Sequence, residues 1–435
     1  MTTVAEVRLW GRTIGAVALE EGETYASFQY NPKFLTSGIE LSPLKMPVAR
    51  RPYRFPELAK DAFFGLPGML ADSLPDKFGN ALIDAWLQTQ GRSAQSLNAV
   101  ERLCYVGSRA MGALEYHPSR RMPGRDVVLD VEKLVELASK VLAKREGFDT
   151  SLAEKEGLAD ILRVGTSAGG ARAKAVIAWN RKTDEVRSGQ VDVGEDFEHW
   201  LLKFDGVSHN RDRELEDPQG YGLIEYAYSM MARAAGINIM ECRVFEEGGR
   251  YHFMTRRFDR PPQGGKLHMQ SLGALAHFDF NAPGHYSYEQ CFDVIRKLGM
   301  STPTVEQQFR RMAFNIIARN QDDHVKNIAF LMDKAGQWSL SPAFDVTYSY
   351  NPQGAWTSKH QMSMNLKRDD FTVDDFVECG RRASLKRGKA KVIVAEVCEA
   401  VRRWPEFAKK AGVLTSHRRT ITKHLRLHLC PSSTV

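Results

Sequence analysis

The run Asn320-Gln321-Asp322-Asp323-His324-Val325-Lys326-Asn327 is the densest concentration of chemically capable side chains in the sequence. Carboxylates, amides, an imidazole and an ammonium have no use in packing a core. Here they lie between an amphipathic segment ending near Arg319 and the apolar Ile328-Ala329-Phe330-Leu331. A polar loop on rigid flanks is the arrangement that reactive groups require. Phosphoryl transfer asks for a carboxylate that orients a hydroxyl and receives its proton, and for oxygen ligands to hard Mg²⁺. Asp322 suits the first role, while Asn327 and Asp345, the latter in Ser341-Pro342-Ala343-Phe344-Asp345-Val346, suit the second. Lys334-Ala335-Gly336-Gln337 reads as a tight turn folding Asp345 back beside Asp322, and Lys326 could offset charge on a moving phosphoryl group. His324 reads as an orienting residue, since no second His or Cys stands at zinc spacing, and Asp323 as a cap or a solvated side chain. A magnesium hydrolase would use similar ligands, and an acidic surface loop would look partly alike.

Two further segments favour a nucleotide. Gly165-Thr166-Ser167-Ala168-Gly169-Gly170-Ala171-Arg172-Ala173-Lys174 places small residues and hydroxyls where backbone amides can face phosphate oxygens, with Arg172 or Lys174 to neutralise them. It lacks the Gly-Lys-Ser/Thr ending of a Walker loop, and a plain turn is the competing reading. In His199-Trp200-Leu201-Leu202-Lys203-Phe204-Asp205, alternation puts Trp200, Leu202 and Phe204 on one face and Lys203 on the other. A lysine in an apolar strand must reach solvent or an anion, so Lys203 is either a half-exposed edge residue or the partner of a phosphate and of Glu225. Taken together, the glycine loop, the strand lysine and the two-part acidic site favour ATP and a kinase.

The elements that must position these groups follow from periodicity. Strands are expected over residues 4–10, 13–19 and 24–29, then a helix beginning at a cap on Asp72 or Ser73 and another near 96–105. The basic stretch 118–125 closes a first unit, and a helical segment 129–144 bridges to a second that opens near Ala159. Strands at 175–179, 200–204, 241–245 and 251–257 surround a helix at 222–235, with helices at 288–298, 304–319 and 389–404 beyond. Strands first and helices afterwards predict an α+β, two-lobed chain: residues 1–125, 126–260 with the nucleotide-binding sheet, and a helical 261–435. At 43% hydrophobic and 26% charged residues, the composition excludes disorder, collagen-like repeats and coiled coil as the main architecture. The net charge of +7 permits a polyanionic partner without requiring one. Six scattered cysteines with no CxxC pair read as reduced thiols, and the absence of a signal-like or membrane-length apolar run predicts a cytoplasmic protein. Ile421, Leu425 and Leu429 predict a short docking helix in the basic tail, against a surface for DNA or a partner.

With these residues in hand, the sequence resembles the HipA-like family of serine/threonine kinases, the toxin halves of bacterial toxin–antitoxin pairs. The first unit resembles that family's leading subdomain through Phe64-Gly65-Leu66-Pro67, Asp72-Ser73-Leu74-Pro75-Asp76 and the stretch Val106 to Leu114. The resemblance implies a protein-kinase-like fold with a mixed α/β N-terminal lobe and a mainly helical C-terminal lobe, using ATP and Mg²⁺. It places an autophosphorylated serine at Ser167, with Thr166 a second hydroxyl beside it, in a loop formed with Ala168, Gly169 and Gly170. It puts the phosphate-contacting lysine at Lys203, backbone contacts to adenine at Arg256 and Phe258, the catalytic aspartate at Asp322 and metal ligands at Asn327 and Asp345. His324 and Lys326 fit the family's polar loop. It further implies a protein substrate such as an aminoacyl-tRNA synthetase, a separate helix-turn-helix antitoxin, DNA contact through that antitoxin, and no membrane. Two alternatives remain: a kinase-shaped scaffold or co-repressor, motivated by Arg381-Arg382, Lys386-Arg387 and Lys389, and a small-molecule kinase.

Overall fold

Alternate burial builds the first sheet: Ala5, Val7 and Leu9 of β1 (Thr3–Leu9) turn inward against β2 (Arg12–Leu19). The computed structural model describes residues 2–93, 96–119, 129–143, 152–165, 172–190, 194, 196–207, 211–212, 215–216 and 219–430. The third strand, β3 (Ser27–Tyr30), starts later than periodicity suggests, because the Ala26 amide is taken by the Gly65 carbonyl at 2.8 Å. With β4 (Pro52–Tyr53) and β5 (Leu114–His117) the sheet order is β4-β3-β2-β1-β5. Around it lie α1 (Lys60–Phe63), α2 (Gly68–Ala71), α3 (Lys77–Thr89) and α4 (Ala99–Val106), the last closed by an Asn98/Glu101 capping box. The cap position of α3 is Asp76, not Asp72 or Ser73. Asp72 instead accepts hydrogen bonds from the amide and hydroxyl of Ser271, at 2.7 and 2.8 Å, far along the chain.

Helices α5 (Val131–Ala143) and α6 (Leu152–Gly165) lead into the second sheet. Its strands are β6 (Lys174–Trp179), β7 (Val186–Ser188) and β8 (Glu198–Lys203). After the small ribbon of β9 (Arg211–Asp212) and β10 (Leu215–Glu216) come α7 (Tyr221–Ala234), β11 (Cys242–Glu247) and β12 (Arg250–Arg256). Gly248 and Gly249 join β11 to β12 at φ +57° and +73°, the left-handed pair that a two-residue hairpin turn demands. The order is β11-β12-β8-β6-β7, so β8 is a central strand and Lys203 is not the edge residue that alternation alone allowed. Its apolar face, Trp200, Leu202 and Phe204, packs with Phe78, Leu82, Leu158 and Ile161 of α3 and α6.

The remainder is mostly helical. β13 (His268–Ser271), β14 (Ala329–Met332) and β15 (Trp338–Leu340) form a three-stranded sheet in that order. Around it are α8 (Leu272–Ala276), α9 (Tyr288–Lys297), α10 (Thr302–Ile317), α11 (Val373–Arg382), α12 (Lys389–Arg402), α13 (Trp404–Lys410) and α14 (Thr415–His424). Phe309, Met312, Phe314 and Ile317 of α10 are wholly buried in the largest core, where truncating one such aromatic costs about 3–5 kcal/mol. The tail joins this core through Ile421, Leu425 and Leu429, as the periodicity predicted. Arg426 is 3% exposed, donating to the Ile316 carbonyl at 3.0 Å, facing His360 Nε2 at 2.8 Å and pairing with Asp369. Cys398 and Cys430 are joined in a disulfide with Cα atoms 5.6 Å apart, correcting the reading of all six as reduced. Docking of the tail on α12 brings the two together, and no local spacing announces it. Among the described residues, no helix is long and apolar enough to cross a membrane.

Candidate active site

The second sheet, α3, α7 and the loop before β14 line a cavity of about 1000 Å³ whose walls carry Lys203, Glu225, Asp322, His324, Asn327 and Asp345. Lys203 leaves β8 toward it and donates to Glu225 Oε1 of α7 at 2.6 Å and to Asp345. Burial alone would push the Lys203 ammonium down, but the carboxylates of Asp345 and Glu225 hold it well above its usual value. Burial likewise opposes ionisation of Asp345, yet Lys203 and then Lys174 keep its carboxyl well below the ordinary range. Glu225, fully enclosed, is pushed up by burial against the pull of Lys203. Arg172 stacks on the Tyr221 ring at 3.8 Å and stands 3.8 Å from Glu225, so the two cations read as phosphate neutralisers, Arg172 and Lys174, both line the cavity. Ser167, Ala168, Gly169, Gly170 and Thr166 lie outside the described residues; α6 continues through Gly165, where a free loop was expected.

The polar run itself is a turn, Val325–Asn327, between α10 and β14. Asn327 donates its amide to the Asp322 carbonyl at 2.8 Å, which leaves its side-chain oxygen available to a cation. His324 caps this turn, its Nδ1 accepting from the Lys326 amide at 3.3 Å, while Nε2 lies 4.0 Å from Asp322 Oδ1. Asp323 is not a solvated side chain. It is buried and accepts from Tyr288 at 2.6 Å and the Gln361 amide at 2.7 Å, with His360 Nδ1 at 2.8 Å, anchoring the loop from beneath. Burial opposes its charge, but His360 and these donors hold its carboxyl down. Asn320 ties the two halves of the site together, its amide reaching the Asp345 carbonyl at 3.4 Å and its oxygen receiving Ser349 at 2.9 Å. Asp345 has φ +53°, a conformation that Asp tolerates better than most residues and that marks a constrained position.

Sequence reasoning missed Trp356. Its indole Nε1 donates to Asp322 Oδ1 at 2.6 Å, and Gln361 holds its carbonyl at 2.5 Å. A lone aromatic in a polar loop carries no periodic signal. On the opposite rim, Phe258 lies 5.6 Å from the Phe344 ring, giving an apolar wall. The Arg256 amide is committed to the Glu241 carbonyl at 2.9 Å, so a ligand could use only its carbonyl. Next to it Asp259 is buried, receiving Arg257 at 2.6 and 2.9 Å, Arg260 at 2.7 Å and the Gly112 amide at 2.7 Å. Lys326 lies along the cavity wall, donating to Asp76 of the first domain at 2.7 Å over the Phe280 ring. Burial works against its charge, and Asp76 and Asp72 more than restore it.

The donor set fits magnesium. Asn327 and Asp345 offer hard oxygens, and no group of three or more His, Cys, Asp or Glu among the described residues forms an all-protein metal cage. A few oxygen ligands completed by phosphates and water are what Mg²⁺ takes.

Comparison with known proteins shows the family and the fold. The family model described as the HipA-like C-terminal domain matches residues 166–404, and that of the HipA N-terminal domain matches residues 5–117. "Putative kinase Y4dM" of Sinorhizobium fredii is 25% identical over 237 residues, 48% of this chain and 56% of that protein. "Putative kinase Y4mE" of the same organism is 24% identical over 204 residues, 44% of this chain and 41% of that protein. The chain spans about half the length of these curated relatives. Among solved structures, a chain of the Shewanella oneidensis MR-1 toxin–antitoxin complex of HipA, HipB and operator DNA has a TM-score of 0.68 at 16% identity, over 97% of this chain and 94% of that one, a likeness of fold.

Proposed function

This chain belongs to the HipA-like family, and from that premise we propose that it is an ATP-dependent serine/threonine protein kinase with Asp322 as its catalytic carboxylate. The observation that carries the reading is the convergence of Asp322, Asn327, Asp345 and the Lys203–Glu225 pair on one cavity. Lys203 exchanges Asp345 for nucleotide phosphate, with Glu225 keeping its ammonium in place. Asn327 and Asp345 would hold Mg²⁺, which supplies neutralisation of phosphate charge when bound. Asp322 orients the acceptor hydroxyl and takes its proton, and Trp356 fixes which oxygen faces the acceptor. The carbonyl of Arg256 and the wall at Phe258 receive the adenine.

Ser167 serves as an autophosphorylation site, since a phosphate there would add about two negative charges to a loop that otherwise receives the nucleotide's phosphates. The substrate is a protein of the translation apparatus such as an aminoacyl-tRNA synthetase, and a separate helix-turn-helix antitoxin is the partner, through which DNA contact is made. Asp322→Asn is expected to abolish phosphate transfer from labelled ATP to protein, with an unchanged melting temperature. Undiminished incorporation by the mutant removes the assignment. The same assay on a cell extract, followed by peptide identification, reads the substrate and the autophosphorylated hydroxyl together.

A further inference from the structure

The catalytic-loop lysine is gripped by a part of the chain that is remote from it in sequence. Lys326 Nζ donates to Asp76 Oδ1 at 2.7 Å, and both side chains are about four-fifths covered at the wall of the cavity. Asp76 occupies the N-cap position of α3, where a carboxylate ordinarily accepts an amide of the first turn, yet its side chain makes no capping bond. That carboxylate therefore serves the catalytic loop in place of its own helix. Asp72, one turn earlier, is fixed by the amide and hydroxyl of Ser271, and its charge reaches Lys326 as well. Ser271 ends β13 and caps α8 by accepting the Ala274 amide at 3.1 Å. At the same seam the Gly68 amide donates to His277 Nε2 at 3.2 Å. The acidic pair is thus registered against the helical lobe from both sides and cannot drift without the seam opening.

We propose that Asp76, steadied by Asp72, is a positioning residue for phosphoryl transfer: it sets where the Lys326 ammonium stands at the cavity wall, which makes the first domain a component of the catalytic apparatus. The proposal rests on the kinase reading. A lysine beside a transferring group is effective only when held in place, because a flexible ammonium must be ordered anew at each turnover. The pair with Asp76 and the Phe280 ring at 4.8 Å supply that order.

The test compares the full-length wild type with Asp76→Asn and Asp76→Glu. Asparagine is nearly isosteric and removes only the charge, so Asp76→Asn should stay folded with a modestly lowered melting temperature, and the kinetics are compared at a temperature where both proteins are fully folded. The kcat of Asp76→Asn for labelled phosphate transfer should fall on the order of tenfold to a hundredfold, with KM for ATP unchanged. Asp76→Glu, which keeps the charge, should recover most of the rate. A second readout needs no activity: acylation of Lys326 by an amine-reactive reagent, located by mass spectrometry, should be faster in Asp76→Asn because the ammonium is released. An inactive wild type would remove the kinase reading while the labelling still tests the grip. An active wild type with an equally active Asp76→Asn, or unchanged labelling of Lys326, overturns the proposal.

Discussion

Asp322 has two neighbours that set its usefulness, the Trp356 indole on Oδ1 and the Asn327 amide on its carbonyl. A hydrogen bond to a carboxylate contributes about 1.5–3 kcal/mol, so Trp356→Phe, which keeps the ring and removes the donor, should lower kcat by roughly tenfold. KM for ATP should not change, and steady-state kinetics at varied ATP checks both. The gathering of Asp322, Asn327 and Asp345 at one cavity could be read in advance because charged and amide side chains crowd between apolar flanks. Lys203 and Glu225 could be read because a lysine inside an apolar strand demands an anion. Trp356 could not, and neither could the grip of Asp76 on Lys326, since nothing local distinguishes a tryptophan or a cap aspartate that serves a distant loop. Asp323 was misjudged for the converse reason. Its partners Tyr288, His360 and Gln361 come from other segments, and a carboxylate looks solvated until those segments close over it.

Among elements, the tail is the most exposed to a direct test. Arg426 sits under the Asn320–Asn327 loop, between His360, which holds Asp323, and Asp369. Arg426→Ala removes a buried stem and leaves the Ile316 carbonyl and His360 Nε2 without their donor, and should destabilise the fold by about 2–4 kcal/mol in denaturant titration. Arg419→Ala, on the exposed face of α14, should stay within about 0.5 kcal/mol. Helices with a clear apolar stripe and a cap, such as α9 behind the Ser287/Gln290 box, appear within a residue or two of their expected ends. The start of α3 was misplaced because Asp72 has the chemistry of a cap but is drawn away by Ser271. The Cys398–Cys430 bond was invisible for a related reason, being made by docking of the tail beyond α14 on α12 rather than by spacing.

Over the whole molecule, acid should loosen the fold through histidines rather than through the site. Burial depresses His268 to about 3 and His252 and His277 to about 4. His252 Nδ1 accepts from the Asp205 amide at 2.9 Å and His277 Nε2 from the Gly68 amide at 3.2 Å, roles that require a neutral ring. Folded values below the unfolded one mean stability that is complete above about pH 6.5 and lost as pH falls toward these values. Each such ring contributes up to about 1.4 kcal/mol per pH unit, so the urea midpoint should drop between pH 6.5 and 4.5, and His268→Gln should flatten the slope. A pH-independent midpoint across that interval would contradict this assignment. The two-lobed plan itself was legible from the order of strands before helices, whereas the seam between the first domain and the helical lobe, where His277 meets Gly68, was not.

The buried carboxylate of Asp259 has a mechanical corollary. Arg257 and Arg260, just after β12, and Gly112 of the first domain converge on it, and a Cβ on Gly112 would come within 2.8 Å of the Met269 amide. So many bonds on one buried carboxylate tie the first domain to the segment that follows β12, and replacing Asp259 by alanine would strand two guanidinium groups there and loosen that tie.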